Sequence, residues 1–363
     1  MARSLLIGRV AGIKILIHWS FLLLLGWIVF SEINRGSNAT TVFATIGFVI
    51  ALFGCVVLHE LGHSLTAKRF GIDTTKITLL PIGGVASLER IPEDPKQELW
   101  VALAGPAVNV IIAGILYPFV FYNGFLSTTA TLNVSTVEGF LYALFRVNIA
   151  LILFNIIPAF PMDGGRVLRA LLAFRLGRID ATNIAASLGQ LIAMGFVLFG
   201  LFNNLFLVLI GVFVYFGAQT EKLLVQHLAF LKDYTVRNAM MTNFITLSPT
   251  DTVKDAAEKL LAGSDQDLLV VDNERAIGVM TKVRIIDSLR GNQPDRLVTE
   301  VMETNFDTLE VNDSLTEVYA NVQRKPNTSY PVMENNKLRG IIDLTNLKEF
   351  VMIRSALHYS PDA

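Results

Sequence analysis

The sequence predicts a polytopic α-helical membrane domain of about six transmembrane helices, with a small β element at the membrane edge, followed by a soluble α/β tandem module. Three observations carry this. Of 363 residues, 52% are hydrophobic and 17% charged, with a mean hydropathy of +0.51, outside the usual range of a soluble globular chain. Up to residue 224 the apolar residues gather into runs long enough to cross a roughly 30 Å hydrocarbon core. The charge is also divided: residues 1–231 hold 15 Lys and Arg against 11 Asp and Glu, and residues 232–363 hold 15 against 20. A basic membrane part therefore precedes an acidic soluble part. No concentrated basic face is present, so nucleic acid is not an expected partner.

The runs fall near residues 13–31, 42–64, 99–122, 138–157, 183–202 and 204–224. The basic start, Arg3 and Arg9, precedes an apolar run with no clear small-residue cleavage site, which reads as a retained first span. Arg3, Arg9 and Lys14 lie before the first span. Lys68, Arg69, Lys76, Arg90 and Lys96 follow the second, and Arg166, Arg169, Arg175 and Arg178 follow the fourth. The opposite connections hold Arg35 and, from Tyr122 to Gly139, no Lys or Arg. The excess places the basic connections and both termini in the cytoplasm of a multi-pass protein of the cell membrane.

Within the second run, Thr41 to Leu58 carries no charge, and it ends in His59-Glu60-Leu61-Gly62-His63. On a helix, histidines four residues apart share a face and can share one metal ion, with Glu60 beside them as a candidate base. An ionisable group at the end of such a span is expected to be functional. Cys55, four residues before His59, shares that face, as a metal ligand or as a small packing hydrophobe. A catalytic zinc site needs a third protein ligand. The stretch Asn155-Ile-Ile-Pro-Ala-Phe-Pro-Met-Asp163-Gly-Gly-Arg166 offers one, because two prolines break the helix and present Asp163 on irregular backbone. The second and fourth spans both run inward, so His59, His63 and Asp163 share a level. His18 reads as a histidine bonded between helices or partnered with Trp19, or as a support for the metal site. Glu221 and His227 read as interfacial residues at the exit of the last span. Thr74 to Leu88, alternating and β-branched around Gly83-Gly84, reads as a strand or hairpin at the membrane edge, or as a plain connecting loop.

After Lys222 an internal repeat appears. Thr242-Asn243-Phe244 recurs as Thr304-Asn305-Phe306, Thr246-Leu247 as Thr308-Leu309, Asp251 as Asp313 and Gly278 as Gly340, all at an offset of 62 residues. Residues 235–353 resemble a tandem pair of CBS domains. The expected division is a membrane domain of residues 1–231, a first repeat of 232–295 and a second of 296–363.

Three features occur in the right order: the histidine pentad, Ala104-Gly105-Pro106-x-x-Asn109, and the Asn155 to Gly164 stretch. On these the chain resembles the site-2 protease family of intramembrane zinc metalloproteases, in its prokaryotic branch with a CBS pair. The resemblance implies His59, His63 and Asp163 as ligands of one Zn2+ per chain, and Glu60 as the catalytic carboxylate that takes a proton from zinc-activated water. It places Asn155, Asn109, Gly83 and Gly84 along the substrate, although a capping or packing role also suits Asn155. It further implies cleavage of a locally unwound membrane-tethered protein near the cytoplasmic face, such as release of a transcription factor or a signal-peptide remnant. The 74–88 element would pair with that substrate.

CBS pairs commonly self-associate and bind adenine nucleotides, so a homodimer and a nucleotide are implied partners. Both copies depart from the nucleotide pattern. The first, Gly278 to Arg284, keeps the hydroxyl of Thr281 and has Arg284 where a carboxylate is usual. The second has Asp343 where phosphate would sit. Thr281, Lys282 and Arg284 remain candidates for an anionic ligand, with docking of the acidic module on the basic membrane face as the alternative. Two rival functions stay in view: a CBS-regulated transporter, and a catalytically silent relative that binds membrane segments.

Overall fold

A computed structural model describes residues 4–81, 83–88, 92–122, 133–263, 267–324 and 329–358. Arg3 and Arg90, counted above for orientation, lie outside them. Two compact units are formed, Met1–Leu224 and Val225–Ala363.

The first unit begins with a hairpin of β1 (Ser4–Val10) and β2 (Ile13–His18), closed by Ala11 and Gly12, both at positive φ as a two-residue turn between twisted strands requires. β2 leads into α1 (Trp19–Asn34) and α2 (Ala39–Arg69). The chain then returns as β3 (Thr74–Leu80), parallel to β2, and turns back as β4 (Gly83–Leu88). The order is β1-β2-β3-β4, so the strand pair expected at 74–88 is half of a four-stranded sheet. The expected first span, 13–31, is divided between β2 and α1. Ile13, Ile15 and Ile17 recur with period two, and Ile13 packs against Leu61 and Ile77 while Ile17 packs against Phe21, Phe53 and Leu79. Hydropathy alone does not separate such a buried strand from a span. What remains, α1, has 16 residues, short of the roughly 20 a crossing helix needs. His18 caps it, with the Ser20 N–H 3.3 Å from Nδ1 and the Trp19 ring 5.7 Å away, so this histidine serves the start of its own helix.

Among the described residues, five helices are long and apolar enough to cross a membrane: α2, α3 (Pro95–Tyr122), α4 (Val137–Asn155), then, after the short α5 (Asp163–Ala173), α6 (Arg178–Asn203) and α7 (Leu205–Leu231). α2 starts at Asn38, whose Oδ1 accepts from the Thr41 N–H at 2.9 Å. Between α4 and α5 the backbone is irregular, with Ala159, Phe160 and Met162 buried within the protein rather than against lipid.

In the second unit the repeat becomes two copies of one topology. The first holds α8 (Val236–Ala239), β5 (Thr246–Leu247), α9 (Val253–Ala262), β6 (Asp267–Asp272), β7 (Arg275–Thr281) and α10 (Lys282–Arg290). The second opens with a 3-10 turn, Val298–Glu300, and continues with β8 (Leu309–Glu310), α11 (Leu315–Arg324), β9 (Tyr330–Glu334), β10 (Lys337–Ile342) and α12 (Leu344–His358). Each makes a three-stranded sheet whose hairpin turns at two positive-φ residues, Asn273-Glu274 and Asn335-Asn336. The copies exchange their opening segments. Val236 and Ala239 lie in the second core with Leu315 and Val332, whereas Val298 lies in the first with Leu268 and Met280. Met241 pairs with Ile341, and Val279 with Glu303. The recurrent glycines serve this exchange: a Cβ on Gly278 would lie 2.2 Å from Met302 Sδ, and one on Gly340 2.7 Å from the Met241 carbonyl.

Candidate metal centre and active site

α2 brings His59 and His63 to one face, and α5 presents Asp163 in its first turn, where the helix dipole favours a carboxylate. Gly164 and Gly165 let the irregular 156–162 segment fold back onto that turn, since a Cβ there would meet the Ile157 carbonyl at 2.2 Å and the Phe160 nitrogen at 2.6 Å. The outcome is a buried cluster. His59 Nε2 and His63 Nε2 are 3.1 Å apart, and each lies 3.2 Å from Asp163 Oδ2. Among the described residues this is the one group of three or more His, Cys, Asp or Glu placed to hold a metal ion. Donors about 2.1 Å from a tetrahedral centre lie about 3.4 Å apart, so two imidazoles and a carboxylate at these separations suit zinc.

α3 closes the site from behind. A Cβ on Gly105 would fall 2.2 Å from His63 Nε2 and 2.8 Å from His59 Cε1, which explains the glycine in the Ala104-Gly105-Pro106 stretch. His63 Nδ1 meets the Val101 carbonyl at 2.7 Å, and His59 Nδ1 meets Asn109 Oδ1 at 2.6 Å. Asn109, expected along the substrate, is fully buried behind His59 instead, because its place on α3 aims it at α2. Cys55 stands apart from the cluster, its Sγ 3.5 Å from Asn148 Nδ2.

Glu60, partly exposed, runs against β4: a Cβ on Gly84 would lie 2.9 Å from Glu60 Cγ. Gly83 opens β4 at φ +137. Asn155 is the last residue of α4 and is partly exposed. A second polar centre was not anticipated. Arg169 of α5, fully buried, donates from Nε to Glu98 of α3 at 2.8 Å and from Nη1 to Glu221 of α7 at 2.6 Å, with its guanidinium 4.9 Å from the Phe160 ring centre. Glu221 turns inward as an ion-pair partner of Arg169. Arg169 had been counted with the cytoplasmic basic residues. What could have singled it out is its spacing in α5: Arg169 lies four residues after Gly165, so the two share the buried face of that helix. Asn148 is a further buried polar group, and an amide within a membrane run is a signal of its own.

In the second unit, Thr281 Oγ1 accepts from the Arg284 N–H at 3.4 Å and so caps α10. The Arg284 guanidinium donates to the Val301 carbonyl at 2.9 Å and lies 3.9 Å from Glu303. The three residues expected to hold an anion thus already have local partners at Thr281 and Arg284. Nearby Asp267 is buried, and burial, reinforced by Asp343 and Glu303, raises its pKa against the Ser329 and Lys282 N–H groups that lower it. This surrounding is unfavourable to phosphate.

Among the described residues, five helices long and apolar enough to cross a membrane, together with a buried two-histidine, one-carboxylate cluster, define a multi-pass membrane protein with a metal-type centre. The family model described as peptidase family M50 matches residues 47–196, and the CBS domain model matches 234–291 and 298–353. The chain is 34% identical over 349 residues to a zinc metalloprotease of Methanocaldococcus jannaschii, covering 96% of each, and 28% identical over 316 residues to the protein Rip3 of Mycobacterium tuberculosis, covering 82% of this chain and 78% of that one. A solved structure, the site-2 protease from Methanocaldococcus jannaschii, is 40% identical and covers 61% of this chain and 95% of its own, with a TM-score of 0.44. The chain belongs to the site-2 protease family of zinc metalloproteases, peptidase family M50, and carries a tandem CBS pair.

Proposed function

We propose that the chain is an intramembrane zinc endopeptidase that cuts membrane-tethered proteins within or near the cytoplasmic side of the bilayer. The observation that carries this reading is the convergence of His59, His63 and Asp163 beside Glu60, itself set against the backbone of β4. His59, His63 and Asp163 would hold the ion. When bound, zinc supplies a Lewis acid for the peptide carbonyl and makes water acidic enough to attack near neutral pH. Glu60 accepts the proton of the attacking water and delivers it to the amine nitrogen as the C–N bond breaks.

A substrate helix hides its carbonyls in its own hydrogen bonds, so it is cut where it is unwound. β4 ends the described sheet, and its outer N–H and C=O groups suit an added strand. With Gly84 packed on Glu60, a strand on that edge passes the carboxylate. Asn155 and Gly83 belong to the same path in this reading, with Asn155 as a hydrogen-bonding group for the peptide or the developing oxyanion. The basic connections put this edge on the cytoplasmic side. The CBS pair regulates cleavage, and a nucleotide at Thr281, Lys282 and Arg284 would have to displace the Arg284 bond to the Val301 carbonyl beside the carboxylates of Asp267 and Asp343.

The test is zinc per chain and cleavage of a membrane-spanning peptide for the wild type, Asp163→Ala and Glu60→Gln in detergent. One zinc per wild-type chain, lost in Asp163→Ala, together with retained zinc and lost cleavage in Glu60→Gln, is the expected result. A folded wild type without zinc would overturn the reading and restore the transporter alternative.

A further inference from the structure

The two histidines are held from behind in different ways. His63 meets the Val101 carbonyl through Nδ1 at 2.7 Å. A carbonyl only accepts, so His63 carries its proton on Nδ1 and keeps a lone pair on Nε2. His59 meets an amide side chain, Asn109, at 2.6 Å. An amide can accept through oxygen or donate through nitrogen, so alone it leaves the tautomer of His59 open.

The choice is made further out. Asn109 Nδ2 lies 2.9 Å from Asn148 Oδ1, and Asn148 Nδ2 lies 2.8 Å from the backbone carbonyl of Leu144. Because that carbonyl can only accept, Asn148 must turn its NH2 toward it and its oxygen toward Asn109. Asn109 must then give its NH2 to Asn148 and its oxygen to His59, and His59 must donate from Nδ1. The other Asn148 N–H faces Cys55 Sγ at 3.5 Å, a weak acceptor that suits the same orientation. Reversing any link sets donor against donor or acceptor against acceptor between two asparagines that are fully buried, where no water can compensate.

We infer that Asn109 and Asn148 form a polarised amide relay through α3 and α4 that fixes His59 in the Nδ1–H tautomer, and that Asn148 is a positioning residue for this metal ligand. The inference rests on the reading of His59, His63 and Asp163 as zinc ligands. Asn148 acts only through Asn109. It accounts for a fully buried amide in the middle of α4, and it supplies through two side chains what Val101 supplies to His63 directly.

The experiment compares Asn148→Leu and Asn148→Thr with the wild type in full-length, detergent-purified protein. Leucine removes both links and suits a transmembrane helix. A threonine hydroxyl can donate to the carbonyl four residues back, Leu144, and accept from Asn109, which preserves the polarity. Zinc affinity is read by competition with a chromophoric chelator, and the tautomer by the ring 15N shifts of metal-free, 15N-histidine-labelled protein. Asn148→Leu is expected to weaken zinc binding by about 10- to 100-fold and to shift one histidine away from the Nδ1–H pattern, with Asn148→Thr restoring both. Asn148→Ala replaces the leucine variant if the latter does not fold. Unchanged affinity and shifts in Asn148→Leu, or losses that threonine leaves unrestored, would overturn the relay. A folded wild type that takes up no zinc fails the metal-site reading instead, and the metal-free shifts then still decide the relay: a histidine pattern unmoved by Asn148→Leu overturns it.

Discussion

In the unit of residues 1–224 large apolar side chains such as Trp27, Phe43, Trp100, Ile115 and Phe199 face outward, while His59, His63, Glu98, Asn109, Asn148, Asp163 and Arg169 are buried. In the unit of residues 225–363 the arrangement is that of a soluble protein. Leu247, Leu268, Met280, Leu315 and Ile342 fill closed cores, and the buried polar residues described are Asp267 and Ser329. Surrounded by hydrocarbon, a polar group finds partners only inside the protein, so His59, His63, Asn109, Asn148, Asp163 and the Glu98–Arg169 pair are bonded to one another or to the backbone, where chemistry or helix packing uses them. In the soluble unit polar groups cap helices and close turns at the surface, as Thr252 and Asp255 do at the start of α9.

The largest expected effect tests whether the inward polar groups of the first unit do chemistry. Glu60→Gln is expected to lower peptide cleavage by about 10²- to 10⁴-fold while zinc content stays at the wild-type value; equal cleavage would remove Glu60 from the reaction. Next is the ion cluster. Arg169→Met leaves Glu98 buried without its cation, and unfolding of the detergent-solubilised protein should show a loss of about 3–5 kcal/mol. The exposed Arg237, paired with Glu334 in the second unit, gives the contrast, since Arg237→Met should leave the unfolding midpoint unchanged. Similar shifts for both arginines would erase the distinction between the units.

A smaller effect is expected at Gly84. Adding a methyl group moves Glu60 by a fraction of an ångström, and Gly84→Ala should reduce kcat by about tenfold with zinc affinity unchanged. Smallest is the pH dependence of the soluble unit. Burial raises the folded-state pKa of Asp267 above its unfolded value, so the folded state holds its proton more tightly. The resulting stability is fully present below the unfolded pKa and is lost as pH rises through the raised folded value. Asp267→Asn should flatten this decline and raise the unfolding midpoint at neutral pH. A midpoint that falls with pH as steeply in Asp267→Asn as in the wild type would sink the assignment.

Much of the site was legible because short spacings are local. His59 and His63 share a face by helical periodicity alone, and Pro158 and Pro161 guarantee that Asp163 sits beyond a helix end. The 62-residue repeat likewise announced two similar sheets. Asn109 was misplaced because its direction depends on how α3 crosses α2, and nothing in its neighbours records that crossing. Ile13 to His18 read as part of a span because Ile13, Ile15, Leu16 and Ile17 run on into the apolar residues of α1, and a short apolar strand is not told from a helix segment by hydropathy. The boundary near residue 295 separates the repeats along the chain, yet Val236 and Val298 pack in each other's cores, an exchange that depends on long-range complementarity.

By itself the sequence determined five of the six apolar runs, the two histidines on one face, the presence of Asp163 after the run at 138–157 and the duplication in the soluble part, all of which follow from composition, periodicity and offset. Only the tertiary structure decided that Gly105 admits both imidazoles, that Gly84 sets β4 against Glu60, that Arg169 joins Glu98 to Glu221, and that a carbonyl on α4 orients His59 through two amides. Those contacts join residues distant in the chain, and their existence depends on ångström-scale helix approach, which no local pattern encodes.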